Sequence, residues 1–121
     1  MLSLFIPLFD LLRKASSNQV YGLYPYIGVE SGVEAKLIVK GKVTLNSNDG
    51  YGMYPYLFSD SKLDIAVLND ATLESCGNTQ FDISGQVKAG AATFSGTGYT
   101  CSSKQFSAVG TVVPPNCQDC S

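Results

Sequence analysis

From Val33 to Leu45 apolar and polar positions alternate along the chain. One face carries Ala35, Leu37, Val39, Gly41, Val43 and Leu45, and the other carries Glu34, Lys36, Lys40, Lys42 and Thr44. A repeat of two residues is what a strand with one buried face requires. Leu63, Ile65 and Val67 continue the theme around Asp64. Phe81, Ile83, Gly85 and Val87 then share a face against Asp82, Ser84, Gln86 and Lys88. Ala92, Phe94, Gly96 and Gly98 follow, and after them Phe106, Ala108, Gly110 and Val112. Pro114 and Pro115 end the last run, because proline cannot donate to a ladder. "NSNDG" at 46–50 supplies residues that tolerate a reversal. A second tight turn near Gly90 is expected to join 79–89 to 91–100 as a hairpin. The pattern predicts a mainly β fold: an antiparallel sheet or small β-sandwich of five to six strands, with one short N-terminal helix as an option. Glycines inside the strands point to twist, bulges or a closely approaching chain.

A longer repeat is superimposed on the alternation. "YGLYPY" at 21–26 returns as "YGMYPY" at 51–56. The match runs on without a gap through 38 and 68, pairing Leu23 with Met53, Glu30 with Asp60, Glu34 with Asp64 and Ile38 with Leu68. Two units fall short of a solenoid, which needs about three. The repeat therefore reads as one loop-and-strand piece used twice.

These two loops hold six of the seven tyrosines. Proline fixes φ and removes an amide donor, and glycine permits a sharp bend, so each copy holds its rings on a stiff segment outside a ladder. Two readings follow. Tyr21, Tyr24, Pro25, Tyr26, Tyr51, Tyr54, Pro55 and Tyr56 either cap one end of the core or form a contact surface. Tyrosine suits the second role through large area, few rotatable bonds and a polar tip.

The 121 residues suit one domain and a real core. Eight basic and ten acidic residues leave a small negative charge, and the lysines are scattered. Nucleic-acid binding needs a concentrated positive face, so that class is set aside. In segment 1–17 an apolar run broken by Pro7 and Asp10 is followed by Arg13, Lys14 and "ASS". It reads as a truncated export signal or as a helix packing on a partner, with residues 18–121 as the single stapled β-domain.

Cys76, Cys101, Cys117 and Cys120 form an even set in a chain of secreted character, which favours disulfides and an extracellular or cell-surface location. Three connectivities are open. Folding back at Gly90 would bring Cys76 opposite Cys101 and leave Cys117–Cys120 as a small loop in the tail. With no histidine, Ser-His-Asp and Cys-His catalysis are excluded. Glu30 with Asp60, or Glu34 with Asp64, match the needs of a glycosidase pair only in kind, and solvent-facing strand charges explain them. "CQDC" lacks the following helix of a redox site and the second knuckle of a zinc site. Asn46, Ser47, Asn48 and Asp49 lack calcium-loop spacing. The chain is read as non-catalytic, with no metal and no small-molecule cofactor.

An exported, mainly antiparallel β-domain with disulfides near its C-terminus, carried here by Cys101, Cys117 and Cys120, resembles the globular headgroup of a type IV pilin, in particular the separate headgroup chain of a split pilin. The leader ending in glycine and the hydrophobic spine of that family are missing from this sequence. The resemblance implies a structural subunit of an extracellular filament, docking through "VYGLYPY" onto copies of itself or onto a helical spine subunit. The alternative is a monomeric secreted β-domain binding a glycan or cell-surface ligand.

Overall fold

A computed structural model describes residues 2–8, 21–27 and 32–120. Fifteen strands run through them: β1 Leu2–Leu8, β2 Tyr21–Leu23, β3 Tyr26–Ile27, β4 Val33–Val39, β5 Lys42–Thr44, β6 Tyr51–Met53, β7 Tyr56–Leu57 and β8 Ser61–Val67. They continue with β9 Thr72–Ser75, β10 Phe81–Val87, β11 Gly90–Gly96, β12 Tyr99–Cys101, β13 Phe106–Val109, β14 Val112–Val113 and β15 Cys117–Gln118. Every pairing among them is parallel.

The strands fall into three sheets, ordered β1-β4-β8-β11-β14, then β5-β9-β12-β15, then β2/β3 to β6/β7 to β10 to β13. From β4 onward the chain visits the sheets in that rotation and then begins again one layer on. It is a three-sided parallel β-helix. The first coil contains β1 to β3, the second β4 to β7, the third β8 to β10 and the fourth β11 to β13, with β14 and β15 opening a fifth.

This corrects the antiparallel expectation. Alternation reports that one face is buried and one is wet, and it carries no information on strand direction. Parallel sheets usually lose the alternation because helices cover both faces. In a β-helix the outer face stays in water, so the period-two pattern survives. A parallel pair also needs a crossover of a dozen residues or more. Here the other two sides of each coil serve as the crossover, which gives the spacing of the repeat its meaning. Tyr21 pairs with Tyr51 and Tyr51 with Phe81; Leu23 pairs with Met53 and Met53 with Ile83. The thirty-residue repeat is one coil, and a solenoid is present after all.

Two further expectations are corrected. The described residues contain no α-helix, and Leu2–Leu8, where a short helix was an option, is a strand paired with β4 from Leu2↔Val33 to Leu8↔Val39. The chain does bend at Gly90, but as a corner. β10 pairs with β6, β7 and β13, whereas β11 pairs with β8 and β14. Gly90 has φ +95, and a Cβ there would lie 1.9 Å from the Ser61 carbonyl oxygen, so the corner admits only glycine.

Inward-facing residues stack into columns between the sheets. Leu37 pairs with Ile65 and Ile65 with Phe94 on one side; Val43 pairs with Leu73 and Leu73 with Tyr99 on the next. With Val39, Leu45, Met53, Leu57 and Ile83 these make one continuous buried core. The burial pattern of β4 alternates without a break. Outside it, Glu34 lies opposite Lys62 and Lys36 opposite Asp64, with Lys36 Nζ 3.9 Å from the Asp64 carboxylate. Glu34 and Asp64 are thus each set against a lysine.

Candidate functional site

The third side of the β-helix carries the tyrosines. Along "YPY" alternate positions separate the two environments: Met53, Pro55 and Leu57 are buried, and Tyr54 and Tyr56 stand half-buried on the outside. Proline interrupts the strand between β6 and β7, yet backbone pairing to the coil before persists, since Tyr54 N–H donates to Leu23 O at 2.9 Å and Tyr56 N–H to Pro25 O at 2.8 Å. Pro55 therefore stiffens the corner without releasing its register.

Identical residues at identical register put rings beside rings. Tyr24 and Tyr54 meet at 5.4 Å edge to face, and Tyr26 and Tyr56 at 5.6 Å with planes 22° apart. Within one coil Tyr24 lies 5.7 Å from Tyr26 and Tyr54 lies 6.2 Å from Tyr56. Tyr51 packs on Tyr54 at 4.5 Å and stacks over Phe81 of the third coil at 6.2 Å. Six rings make one contiguous face. Each such pair contributes about 1 kcal/mol beyond its buried area, so the array is held rigid before anything binds. Tyr24 is 41% exposed and Tyr26 56%.

Of the residues the sequence singled out, Tyr24, Tyr26, Tyr51, Tyr54 and Tyr56 come together in this face; Pro25 and Pro55 support it, and Tyr21 enters the backbone ladder opposite Tyr51. Phe81 was missed, although it stands thirty residues after Tyr51. The face ends there, because Gln86 occupies the register of Tyr56 in the third coil.

The cysteines are elsewhere, and their pairing corrects the expected one. Cys76 is bonded to Cys120 with Cα atoms 6.0 Å apart, and Cys101 to Cys117 with Cα atoms 5.4 Å apart. The expected Cys76–Cys101 bridge presumed a hairpin at Gly90. In the β-helix Cys101 ends β12, Cys117 begins the neighbouring β15, and Cys76 and Cys120 follow β9 and β15. Bridges therefore run from coil to coil. The cysteines of "CQDC" have different partners and form no dithiol. Two disulfides are compatible with an exported or extracellular protein.

Also missed was a buried polar column at the corner before the tyrosine face, built from Asn48, Ser75, Asn78 and Asp82. Asp82 accepts from Asn78 N–H and Nδ2 at 3.1 and 2.9 Å through one oxygen and from Ser102 N–H at 3.1 Å through the other. Its carboxylate is fully engaged inside the fold and has no open side for a substrate. Among the described residues no group of three or more histidine, cysteine and acidic side chains is placed to hold a metal ion. Compared with protein-family models, curated proteins and solved structures, the chain matches none at a significant level, and nothing links it to a pilin-like family.

Proposed function

We propose that this chain is a non-catalytic structural unit of an extracellular assembly, and that its tyrosine face docks against a second copy of the chain. The observation that carries the reading is the six-ring face of Tyr24, Tyr26, Tyr51, Tyr54, Tyr56 and Phe81, preorganised by coil-to-coil register and open at Tyr24 and Tyr26. Rings that already satisfy one another both edge to face and near-parallel offer the same two geometries to an identical face, which suits a two-fold contact. Rigid aromatic side chains lose little entropy on docking. The closed disulfides and solenoid body supply the stiffness a structural role needs.

The test is sedimentation of the wild type against the double variant Tyr24→Ser, Tyr54→Ser. The wild type self-associates as concentration rises and the variant stays monomeric. A second reading, a secreted module binding a glycan, is favoured by the regular coil-to-coil spacing of the rings, which suits a repeating ligand. It requires a wild type that remains monomeric at high concentration and loses glycan binding in the same variant.

A further inference from the structure

We infer that Tyr26 and Tyr56 are a site of oxidative cross-linking, at which a dityrosine bond joins the first coil to the second. The two residues are direct register partners in the parallel pair of β3 and β7. Parallel strands in register place equivalent residues side by side about 4.8 Å apart, which sets the Tyr26 and Tyr56 side chains out from neighbouring rungs. The ring centres are 5.6 Å apart and the planes diverge by only 22°. The Tyr24–Tyr54 pair is as near, at 5.4 Å, but its planes stand 64° apart, an edge-to-face arrangement that lacks the near-parallel overlap of Tyr26 and Tyr56. The torsion at the end of a tyrosine side chain is broad, so a small slip brings the ring carbons next to the Tyr26 and Tyr56 hydroxyls together without disturbing the backbone. Access is present too, since Tyr26 is the more exposed of the two outer tyrosines at 56%.

The co-reactant is a hydroperoxide delivered through a haem peroxidase, in the same oxidising setting that closes the disulfides. Each phenol surrenders one electron and one proton to give a phenoxyl radical. The two radicals join at the carbons ortho to oxygen, forming one C–C bond, and the hydrogens on those carbons pass to the phenol oxygens. The two electrons and two protons reduce hydrogen peroxide to two waters with cleavage of its O–O bond. Both disulfides fasten coils at the C-terminal end of the solenoid, and this bond would fasten the first to the second at the other end.

The test treats the full chain, kept dilute, with hydrogen peroxide and a haem peroxidase, and maps linked peptides by mass spectrometry. The expected product is a monomer lighter by two hydrogens, in which the peptide holding Tyr26 is joined to the peptide holding Tyr56. Tyr26→Phe keeps the ring and abolishes that linked peptide, and the same treatment in denaturant scatters the linkage among the tyrosines. Linkage of Tyr24 to Tyr54, products that are only intermolecular, or an unchanged Tyr26–Tyr56 yield in denaturant would each overturn the assignment. Because the readout is within one molecule, it stands or falls separately from self-association.

Discussion

Asn48 donates its side-chain amide to Asn78 Oδ1 across 2.8 Å and its backbone amide to the same oxygen across 2.9 Å, joining the second coil to the third. Asn78 Nδ2 in turn lies within hydrogen-bond distance of Leu45 O, Ser75 Oγ and Asp82 Oδ1 at 3.0, 3.2 and 2.9 Å. One buried amide thus satisfies groups from two coils, and Asp82 carries the chain of contacts to the fourth through Ser102. The corner needs such a device because it holds polar backbone away from water, where each unsatisfied group costs about 1–3 kcal/mol.

Replacing Asn78 should therefore be among the most damaging single changes in the molecule. Asn78→Ala strands donors on Asn48 and removes one of the bonds reaching Leu45 O and Asp82 Oδ1, for an expected loss of about 3 kcal/mol. Asn78→Asp should be at least as damaging, since it sets a second carboxylate against Asp82. Urea unfolding measures both. A loss under about 1 kcal/mol for the alanine variant would show that water can enter and satisfy the corner.

Gly52 is fixed by the same column. A Cβ at this position would come within 1.9 Å of Ser75 Oγ, 2.6 Å of Asn78 Nδ2 and 2.6 Å of the Asp82 carbonyl oxygen. The glycine of "YGMYPY" is thus a space requirement of the coil beneath it as much as a bend in its own. Gly52→Ala is expected to cost about 2–3 kcal/mol by overpacking. The thermal midpoint reads the effect, and an unchanged midpoint would mean that Ser75 and Asn78 can rotate and the Asp82 backbone can shift away without loss.

Part of the inward face was legible from alternation, since Leu37, Val39, Ile65, Ile83 and Phe94 lie in the core as the pattern requires. Asp82 and Ser84, expected on the wet face, are buried. Fifteen strands run through the described residues where five to six were expected, four of them in the tyrosine segments read as lying outside a ladder. Strand direction was not legible, because a sheet with one wet face alternates whichever way its neighbours run. The decisive clue was the period. It appeared in the tyrosine loops as two copies, and a third was disguised, with Phe81 in place of Tyr51, Gln86 in place of Tyr56 and a shared Asn at 18, 48 and 78. Asn18 lies outside the described residues. Side-chain identity drifts between coils because each outward position meets only water and its two neighbours, whereas Asn48 and Asn78 are held by buried bonds. The disulfides were misassigned for the same reason as the fold, since partners in a β-helix are set by layers of the solenoid and not by a local turn.

Those layers make the bridges distinguishable by experiment. Cys76–Cys120 spans 44 residues and Cys101–Cys117 spans 16. On chain entropy alone their removal costs about 4 and about 3 kcal/mol respectively. Paired serine variants should show that order in urea unfolding. Digestion without reduction should yield a 76–120 and a 101–117 peptide pair. In the reduced protein, hydrogen exchange should quicken at β12 and β15 while the backbone under Tyr54 and Tyr56 stays protected, because no bridge reaches that end. Equal quickening at both ends would mean that the solenoid opens as one unit.

Tyr99 gives the fold a dependence on alkaline pH. Its ring is buried edge to face on Phe94 at 6.2 Å, and its hydroxyl lies 2.7 Å from Ser95 O and 3.0 Å from Ile65 O, to one of which it donates. Burial pushes the phenol well above its ordinary value, and the Asp64 carboxylate adds to the shift, with a backbone hydrogen bond to Val67 opposing it. Below about pH 10 both folded and unfolded chains keep the proton and the full stability is present. Above that the unfolded chain releases it while the folded one does not, so this residue alone subtracts about 1.4 kcal/mol per pH unit until the folded phenol titrates. Tyr99→Phe should cost about 1 kcal/mol at neutral pH through the lost hydroxyl bond and should show a shallower decline above pH 10. Parallel alkaline slopes for the two proteins would mean that Tyr99 ionises in the folded state as freely as in the unfolded chain.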